Sequence, residues 1–92
     1  MALQIFALDD EPDILHLITL HLSKAGFRVD GFTDSKGFLH SLKNTRPDLI
    51  ILDLMLPDAD GFELCRMLKK DPRTGAIPVS YTHLRAHETG RN

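Results

Sequence analysis

An unbroken apolar run in the middle of the chain constrains the fold more than any other feature. Residues 49–52 read LIIL, without the polar alternation that marks a strand with one face in water. Such a run indicates a strand covered on both faces, as in a parallel sheet with helices on either side. Asp53 follows directly, so the sequence predicts a carboxylate at the carboxyl end of a buried strand.

Short apolar segments alternate with segments of helical periodicity along most of the chain. We predict strands at residues 4–8, 27–30 and 49–52, and the start of a fourth at 77–79. In the three intervening segments, apolar residues recur at three- and four-residue steps, as in helices with one buried face. This order predicts an α/β fold with a parallel sheet and right-handed crossovers.

Local signals indicate where the helices begin and end. Pro12 suits a first helical turn, and Gly26 suits a C-terminal cap. Residues 33–35 offer an N-cap for the second helix, and Asp60 with Glu63 resembles a capping box for the third. The residues expected on the buried helix faces are Ile14, Leu15, Ile18, Leu22, Ala25, Phe38, Leu39, Leu42, Phe62, Cys65 and Leu68.

Composition excludes several classes of function. The 92 residues predict one domain, and the net charge of −2 gives no basic footprint for nucleic acid or an anionic membrane. No apolar run approaches the roughly 20 residues of a membrane span, and the first residues do not resemble a signal peptide. Cys65 is the single cysteine, which fits a reducing compartment, so we expect a cytoplasmic protein.

Acidic residues follow two of the predicted strands. Asp9 and Asp10 stand at the carboxyl end of the first strand, and Asp53 stands at the end of the third. In an open parallel sheet the functional crevice lies at these ends, so neighbouring strands would bring three carboxylates together. Their mutual repulsion calls for a cation, and magnesium suits a few carboxylates with positions left for phosphate. Asp53 would then be a nucleophile toward a phosphoryl donor.

Three motifs in this order resemble the receiver domains of bacterial response regulators. They are ALDDEP at residues 7–12, PDLIILDLMLP at 47–57 and DGFEL at 60–64, and the resemblance covers roughly residues 3 to 79. It implies a flavodoxin-like, doubly wound parallel sheet with strand order 2-1-3-4-5. The chain would then be a phosphoacceptor in two-component signalling and not a turnover enzyme.

The resemblance also assigns roles to individual residues. Asp53 would accept a phosphoryl group from a sensor histidine kinase. Asp9, Asp10 and Asp53 would bind Mg²⁺, with the backbone carbonyl of Met55 as a further ligand. Phosphorylation would be relayed to an output domain or a downstream protein.

The sequence departs from the family after residue 79. His83 stands where receivers have a switch Thr or Ser, although Thr82 is adjacent, and the later Lys-Pro pair has no counterpart. We expect a partial receiver domain at 1–79, truncated after about the fourth strand. The tail at 80–92 is either foreign, from a cloning junction or a frame change, or a natural divergent ending. Sheet surface left uncovered would favour a homodimer or higher oligomer.

Two other functions remain open from the sequence. An aspartyl phosphatase of the haloacid dehalogenase kind also places an Asp after its first strand, but it needs Asp-x-Asp where this chain has adjacent acids. The other alternative is an interaction module that works without phosphorylation. On purely structural interpretations, residues 9–11 cap the first helix and Asp53 is a turn acid.

Overall fold

The computed structural model describes residues 2–56 and 59–82. Four parallel strands and three helices alternate along these residues. The strands are β1 (Gln4–Leu8), β2 (Arg28–Phe32), β3 (Leu49–Asp53) and β4 (Val79–Thr82). The helices are α1 (Pro12–Lys24), α2 (Ser35–Leu42) and α3 (Gly61–Lys70).

The strands form one sheet in the order β2-β1-β3-β4 with parallel pairing throughout. This confirms the predicted α/β class and the part of the flavodoxin-like strand order that the described residues cover. The central strands carry the longest apolar runs because they are covered on both faces. Among the described residues, no helix has the length and apolar character that crossing a membrane requires.

Alternate residues of β1 divide the sheet into two packed faces. Phe6 and Leu8 point into a core formed with α2 and α3, whose other members are Phe38, Leu42, Ile50, Leu52, Leu64, Cys65, Leu68 and Ile77. Ile5 and Ala7 alternate with them and are equally buried. Helix α1 packs on β1 and β2, and Leu15 is its buried residue. A sheet with helices on both faces is therefore present.

Several predicted positions differ from the structure: β2 begins at Arg28 and not at residue 27, and β4 begins at Val79 and not at residue 77. Strand β2 extends to Phe32 and does not stop at residue 30, because Gly31 and Phe32 continue to pair with Ala7 and Leu8. Ala25 is exposed, although we expected it on the buried face, because it is the C-cap of α1 and lies beyond the last helical turn. Gly26 follows with a φ of 101°, which confirms the predicted glycine cap.

The start of α3 also corrects the sequence analysis. Asp60 is the N-cap, but its Oδ1 accepts from the N–H of Phe62, and Glu63 pairs with Arg66 at 2.7 Å. The predicted capping box between Asp60 and Glu63 is therefore absent from the described contacts. Phe62 is 60% exposed and not on the buried face, because Gly61, Leu64, Cys65 and Leu68 form that face.

Some predictions fall on residues that the structure does not describe. They concern Pro57, which ends the motif at 47–57, and the tail from His83 onward. Residues 80–82 belong to β4, which pairs with β3. The proposed domain boundary at residue 79 stays a prediction.

Candidate functional site

The register of the sheet brings two acidic residues to the same edge. Leu8 pairs with Leu52 across β1 and β3, so Asp9 and Asp53, which each come next in the chain, leave neighbouring strands side by side. Asp10 follows Asp9 in the turn that leads to α1. All three lie at the carboxyl ends of the strands, where open parallel sheets hold their functional crevice.

The three carboxylates form one cluster. One oxygen each from Asp9, Asp10 and Asp53 lies within 4.8 Å of the other two. Asp9 and Asp53 are only 2% and 1% exposed to solvent, whereas Asp10 is half-buried. The structure thus brings together the three acids that the sequence placed at the strand ends. Buried carboxylates are uncommon unless they are paired or bind a metal, so the cluster carries more weight than surface acids would.

Backbone N–H groups orient the two buried carboxylates in the same way. Oδ1 of Asp9 accepts from the N–H of Glu11 at 2.9 Å, and Oδ1 of Asp53 accepts from the N–H of Met55 at 3.0 Å. Each bond reaches two residues along the chain, which is the Asx-turn pattern. The bonds fix the rotation of both carboxylates.

The alternative that residues 9–11 cap helix α1 is supported in part by these hydrogen bonds. The N-cap of α1 is Glu11, and its side chain makes no capping hydrogen bond. Asp9 instead accepts from the N–H of Glu11, so Asp9 shapes the turn into α1 while its carboxylate faces the cluster. Asp9 can therefore both stabilise the turn into α1 and belong to the acidic site.

Residues 54–55 pair with residues 60–61 beside the site. Met55 and Asp60 form an antiparallel bridge, and the N–H of Gly61 donates to the carbonyl of Leu54 at 3.3 Å. A groove of about 510 Å³ lies beside the acids, lined by Asp10, Leu54, Met55, Leu56, Ala59, Asp60 and Phe62. The groove gives the acidic cluster an open, partly apolar approach.

Gly61 is a residue of this region whose importance the sequence analysis missed. A Cβ atom built on Gly61 would lie 2.5 Å from Cα of Leu54 and 2.7 Å from the carbonyl oxygen of Asp53. Only glycine fits this close approach of two backbone segments. The Asp-Gly pair of the motif at 60–64 was the available signal, but we used it only for the family resemblance and for a helix cap.

The donor set fits a small divalent cation. Carboxylate oxygens are preferred ligands of Mg²⁺ at about 2.1 Å, so oxygens up to about 4.2 Å apart can share one ion. The 4.8 Å limit of the cluster is close to that span. Without a cation, each pair of charges at this distance would repel by about 3 to 4 kcal/mol at an effective dielectric of 20. The repulsion is a physical reason for the acids to hold a metal.

Three other residues from the sequence predictions have different outcomes. Met55 lies two residues beyond Asp53 with a half-exposed side chain, and its N–H orients the Asp53 carboxylate. Its carbonyl as a metal ligand stays a prediction. Cys65 is nearly buried in the core, as expected for a packed residue, and its Sγ lies 2.7 Å from the Tyr81 hydroxyl. His83 lies outside the described residues.

Comparison with known proteins identifies the family. The family model for the response regulator receiver domain matches residues 5–89. The chain is 44% identical over 77 residues to the DNA-binding dual master transcriptional regulator RpaA of Synechocystis sp., covering 83% of this chain and 32% of that protein. It is 35% identical over 88 residues to the phosphate regulon transcriptional regulatory protein PhoB of Rhizobium meliloti, covering 96% of this chain and 39% of that protein.

Solved structures agree in fold. The signal receiver domain of a signal transduction histidine kinase from Syntrophus aciditrophicus superposes with a TM-score of 0.84 at 32% identity, covering 92% of this chain and 64% of that one. The N-terminal domain of a response regulator receiver protein from Methanoculleus marisnigri gives 0.82 at 32% identity, covering 97% and 75%.

The matches also allow a judgement on the two alternative functions and on how much of its relatives this chain covers. The phosphatase and the phosphorylation-independent module find no support in these comparisons. The chain spans about a third of the length of the curated relatives it matches. With four parallel strands in the order 2-1-3-4, an acidic cluster at their carboxyl ends and a family match over residues 5–89, this chain belongs to the response regulator receiver domain family of two-component signalling.

Proposed function

We propose that Asp53 is the phosphoacceptor of this receiver domain and that a sensor histidine kinase supplies the phosphoryl group. The observation that carries the proposal is the meeting of Asp53 with Asp9 and Asp10 within 4.8 Å at the carboxyl end of the sheet. A carboxylate that is buried, fixed in rotation and close to Asp10, which lines an open groove, is suited to nucleophilic attack.

The proposed step is a transfer between two nucleophiles. A carboxylate oxygen of Asp53 forms a bond to phosphorus while the bond from phosphorus to the donor's histidine nitrogen breaks. The electron pair of the broken bond stays on the imidazole, and the product is an acyl phosphate on Asp53. The chain supplies the acceptor and the positioning, because the donor brings the activated phosphoryl group. The domain thus phosphorylates itself once and is not a turnover enzyme.

The acidic cluster supports a Mg²⁺ requirement for this step. Asp9, Asp10 and Asp53, with the backbone carbonyl of Met55, would hold the ion, which would neutralise charge on the transferring group. The N–H of Met55 keeps the Asp53 carboxylate in one rotation, and the N–H of Glu11 does the same for Asp9. Positioning of this kind supplies much of the rate enhancement in phosphoryl transfer.

The signal would be read outside the described residues. Relatives such as RpaA and PhoB are named as transcriptional regulators, and this chain spans about a third of their length. We propose that phosphorylation of Asp53 acts on an output domain or a downstream protein and that DNA contact, where it occurs, belongs to that partner. Family membership supports a cytoplasmic location.

The decisive test uses acetyl phosphate as a small phosphodonor in the presence of Mg²⁺. We expect the wild-type chain to gain one acid-labile phosphoryl group by intact mass, and Asp53→Asn to gain none. Asp13→Asn is the matched control, because Asp13 is exposed in the first turn of α1 and outside the acidic cluster. Modification of Asp53→Asn at the wild-type rate would contradict the assignment.

We propose that residues 80–92 are foreign to the receiver domain, which would end near residue 79. The departure from the family's switch and Lys-Pro positions supports this, while the family match extends to residue 89. Sequencing the source gene across codon 79 from an independent template tests the boundary. The proposal predicts a different downstream reading frame, and the same codons through residue 92 would contradict it.

We also propose that this chain self-associates. In the described residues β4 pairs only with β3, and Leu17 and Leu20 of α1 are exposed by 53% and 41%. An unpaired strand edge and exposed leucines favour association. Size-exclusion chromatography with light scattering should give a dimer or a larger species, and a monomer over the whole concentration range would contradict the proposal.

A further inference from the structure

The first residue of α3 contacts the backbone that carries the phosphoacceptor. Built on Gly61, a Cβ atom would lie 2.5 Å from Cα of Leu54, 2.9 Å from its carbonyl carbon and 2.7 Å from the carbonyl oxygen of Asp53. All three are main-chain atoms, so no side chain can rotate away to make room. Any substitution at Gly61 must therefore move either α3 or the segment that follows β3.

Backbone hydrogen bonds connect this contact to the Asp53 carboxylate. The N–H of Gly61 donates to the carbonyl of Leu54, and the bridge between Met55 and Asp60 closes the loop beside it. The N–H of Met55 in turn donates to Oδ1 of Asp53 at 3.0 Å. A shift of Leu54 would therefore carry Met55 with it and change the orientation of the carboxylate.

The helix itself does not require glycine at this position. Asp60 caps α3 by accepting a hydrogen bond from the N–H of Phe62 at 2.9 Å, and that bond does not require a glycine at position 61. Glycine is also a weaker helix former than alanine, so α3 itself gains nothing from a glycine as its first residue. The close contact with Asp53 and Leu54 is the feature that favours glycine here.

We propose that Gly61 is a positioning residue for the phosphoacceptor site. Because glycine has no side chain, the first residue of α3 can contact the backbone of Leu54. This contact holds Met55, and through it the Asp53 carboxylate, in place. The inference rests on the proposed role of Asp53. It adds that backbone contacts with the start of α3 help to set the geometry of the acidic cluster.

The test compares Gly61→Ala with Gly75→Ala. Gly75 lies beyond the other end of α3, and its Cβ would be 2.9 Å from the carbonyl oxygen of Lys69, which is also a backbone clash. For each variant we would measure Mg²⁺ affinity by calorimetry, the rate of modification by acetyl phosphate, and thermal stability. The second variant separates loss of the site from a general loss of stability.

We expect Gly61→Ala to lower Mg²⁺ affinity by about tenfold or more, in the range seen when residues supporting a metal ligand are changed. The modification rate should fall with it, while Gly75→Ala keeps the wild-type affinity even if it melts earlier. Equal affinities of Gly61→Ala and wild type would overturn the proposal, as would an equal loss in both variants.

A measurement on the wild-type chain covers the case in which Gly61→Ala does not fold. Hydrogen exchange followed by NMR should show that Mg²⁺ slows the amides of both Met55 and Gly61, because they belong to one linked unit. Slowing at Met55 without any change at Gly61 would overturn the proposal. If the wild type binds Mg²⁺ but forms no acyl phosphate, the phosphoacceptor assignment fails, whereas the affinity comparison still decides the role of Gly61.

Discussion

Asp9 and Asp53 occupy equivalent positions on neighbouring parallel strands. Each follows a leucine of the Leu8–Leu52 pair, and each carboxylate accepts a hydrogen bond from the backbone N–H two residues later, at 2.9 and 3.0 Å. The site is thus a product of sheet register and two short turns. A slip of one residue between β1 and β3 would send one of the two side chains to the opposite face of the sheet.

Repulsion among the three acidic side chains should lower the free energy of unfolding of the metal-free protein. Asp53→Asn removes one of three crowded charges but keeps an oxygen that can accept from Met55. We expect the free energy of unfolding to rise by about 1 to 2 kcal/mol without Mg²⁺, a fraction of the pairwise repulsion. Urea unfolding in a chelator measures this, and added Mg²⁺ should stabilise wild type more than the variant. A variant less stable than wild type in chelator would contradict the repulsion argument.

Thr74 is expected to stabilise the loop between α3 and β4. Its Oγ1 donates to the carbonyl of Leu68 at 2.6 Å, and the residue is 5% exposed. Thr74→Val should lower the free energy of unfolding by about 1 to 3 kcal/mol, because the buried carbonyl loses its partner. Thr45→Val is the control, since Thr45 is exposed and should change little. Equal urea midpoints for the two variants would speak against this role.

Arg73 and Arg66 allow a comparison of two arginines in different surroundings. A guanidinium N–H of Arg73 donates to the carbonyl of Leu42 at 3.0 Å, near the C-terminal end of α2, whereas Arg66 pairs with Glu63 on the exposed surface of α3. We expect Arg73→Ala to lower the free energy of unfolding by about 1 kcal/mol. Arg66→Ala should cost less than about 0.5 kcal/mol. A larger loss for Arg66→Ala in chemical denaturation would reverse this ranking.

The stability of the chain should depend on pH through its single tyrosine. The hydrogen bond with Cys65, desolvation and the Coulombic effect of Cys65 raise the pKa of Tyr81 above 10.0. Below pH 10 the phenol is neutral in both states, and its contribution is fully present. Above pH 10 the unfolded chain ionises first, so the free energy of unfolding falls as pH rises through the folded pKa.

Two variants isolate this effect. Tyr81→Phe should remove the part of the alkaline decline that belongs to the phenol. Cys65→Ala should move the Tyr81 pKa back toward 10.0, because it removes the hydrogen-bond partner. Ultraviolet absorbance of the phenolate reports this pKa directly, since the chain contains one tyrosine. An unchanged pKa in Cys65→Ala would show that the contact does not cause the shift.

Two strands were predictable from unbroken apolar runs in the sequence. Strand β1 at residues 4–8 and the apolar core of β3 at 49–52 are predictable because burial on both faces leaves little choice of residue. The meeting of Asp9, Asp10 and Asp53 was also predictable, because the carboxyl ends of neighbouring parallel strands share an edge.

Three predictions failed because they depend on contacts that hydrophobic periodicity does not reveal. Phe62 was expected inside but is 60% exposed, and the buried face of α3 includes Gly61, which approaches Leu54 closely and carries no apolar side chain for a periodicity to show. Two local contacts stand where the capping box was expected: Asp60 accepts from the N–H of Phe62, and Glu63 pairs with Arg66. Strand β2 ran longer than expected because pairing with β1 overrides the weak strand preference of Gly31.

The location of a bound ion tests the central claim most directly. Mn²⁺ can replace Mg²⁺ at oxygen sites, and its paramagnetism broadens the NMR signals of nearby amides. In a titration of the wild-type chain, we predict that the first amides to disappear belong to Asp9, Asp10, Leu54 and Met55, while those near Arg73 persist. Asp53→Asn should weaken the effect. Broadening that begins elsewhere, or that Asp53→Asn leaves unchanged, would contradict a metal site shared by these three acids.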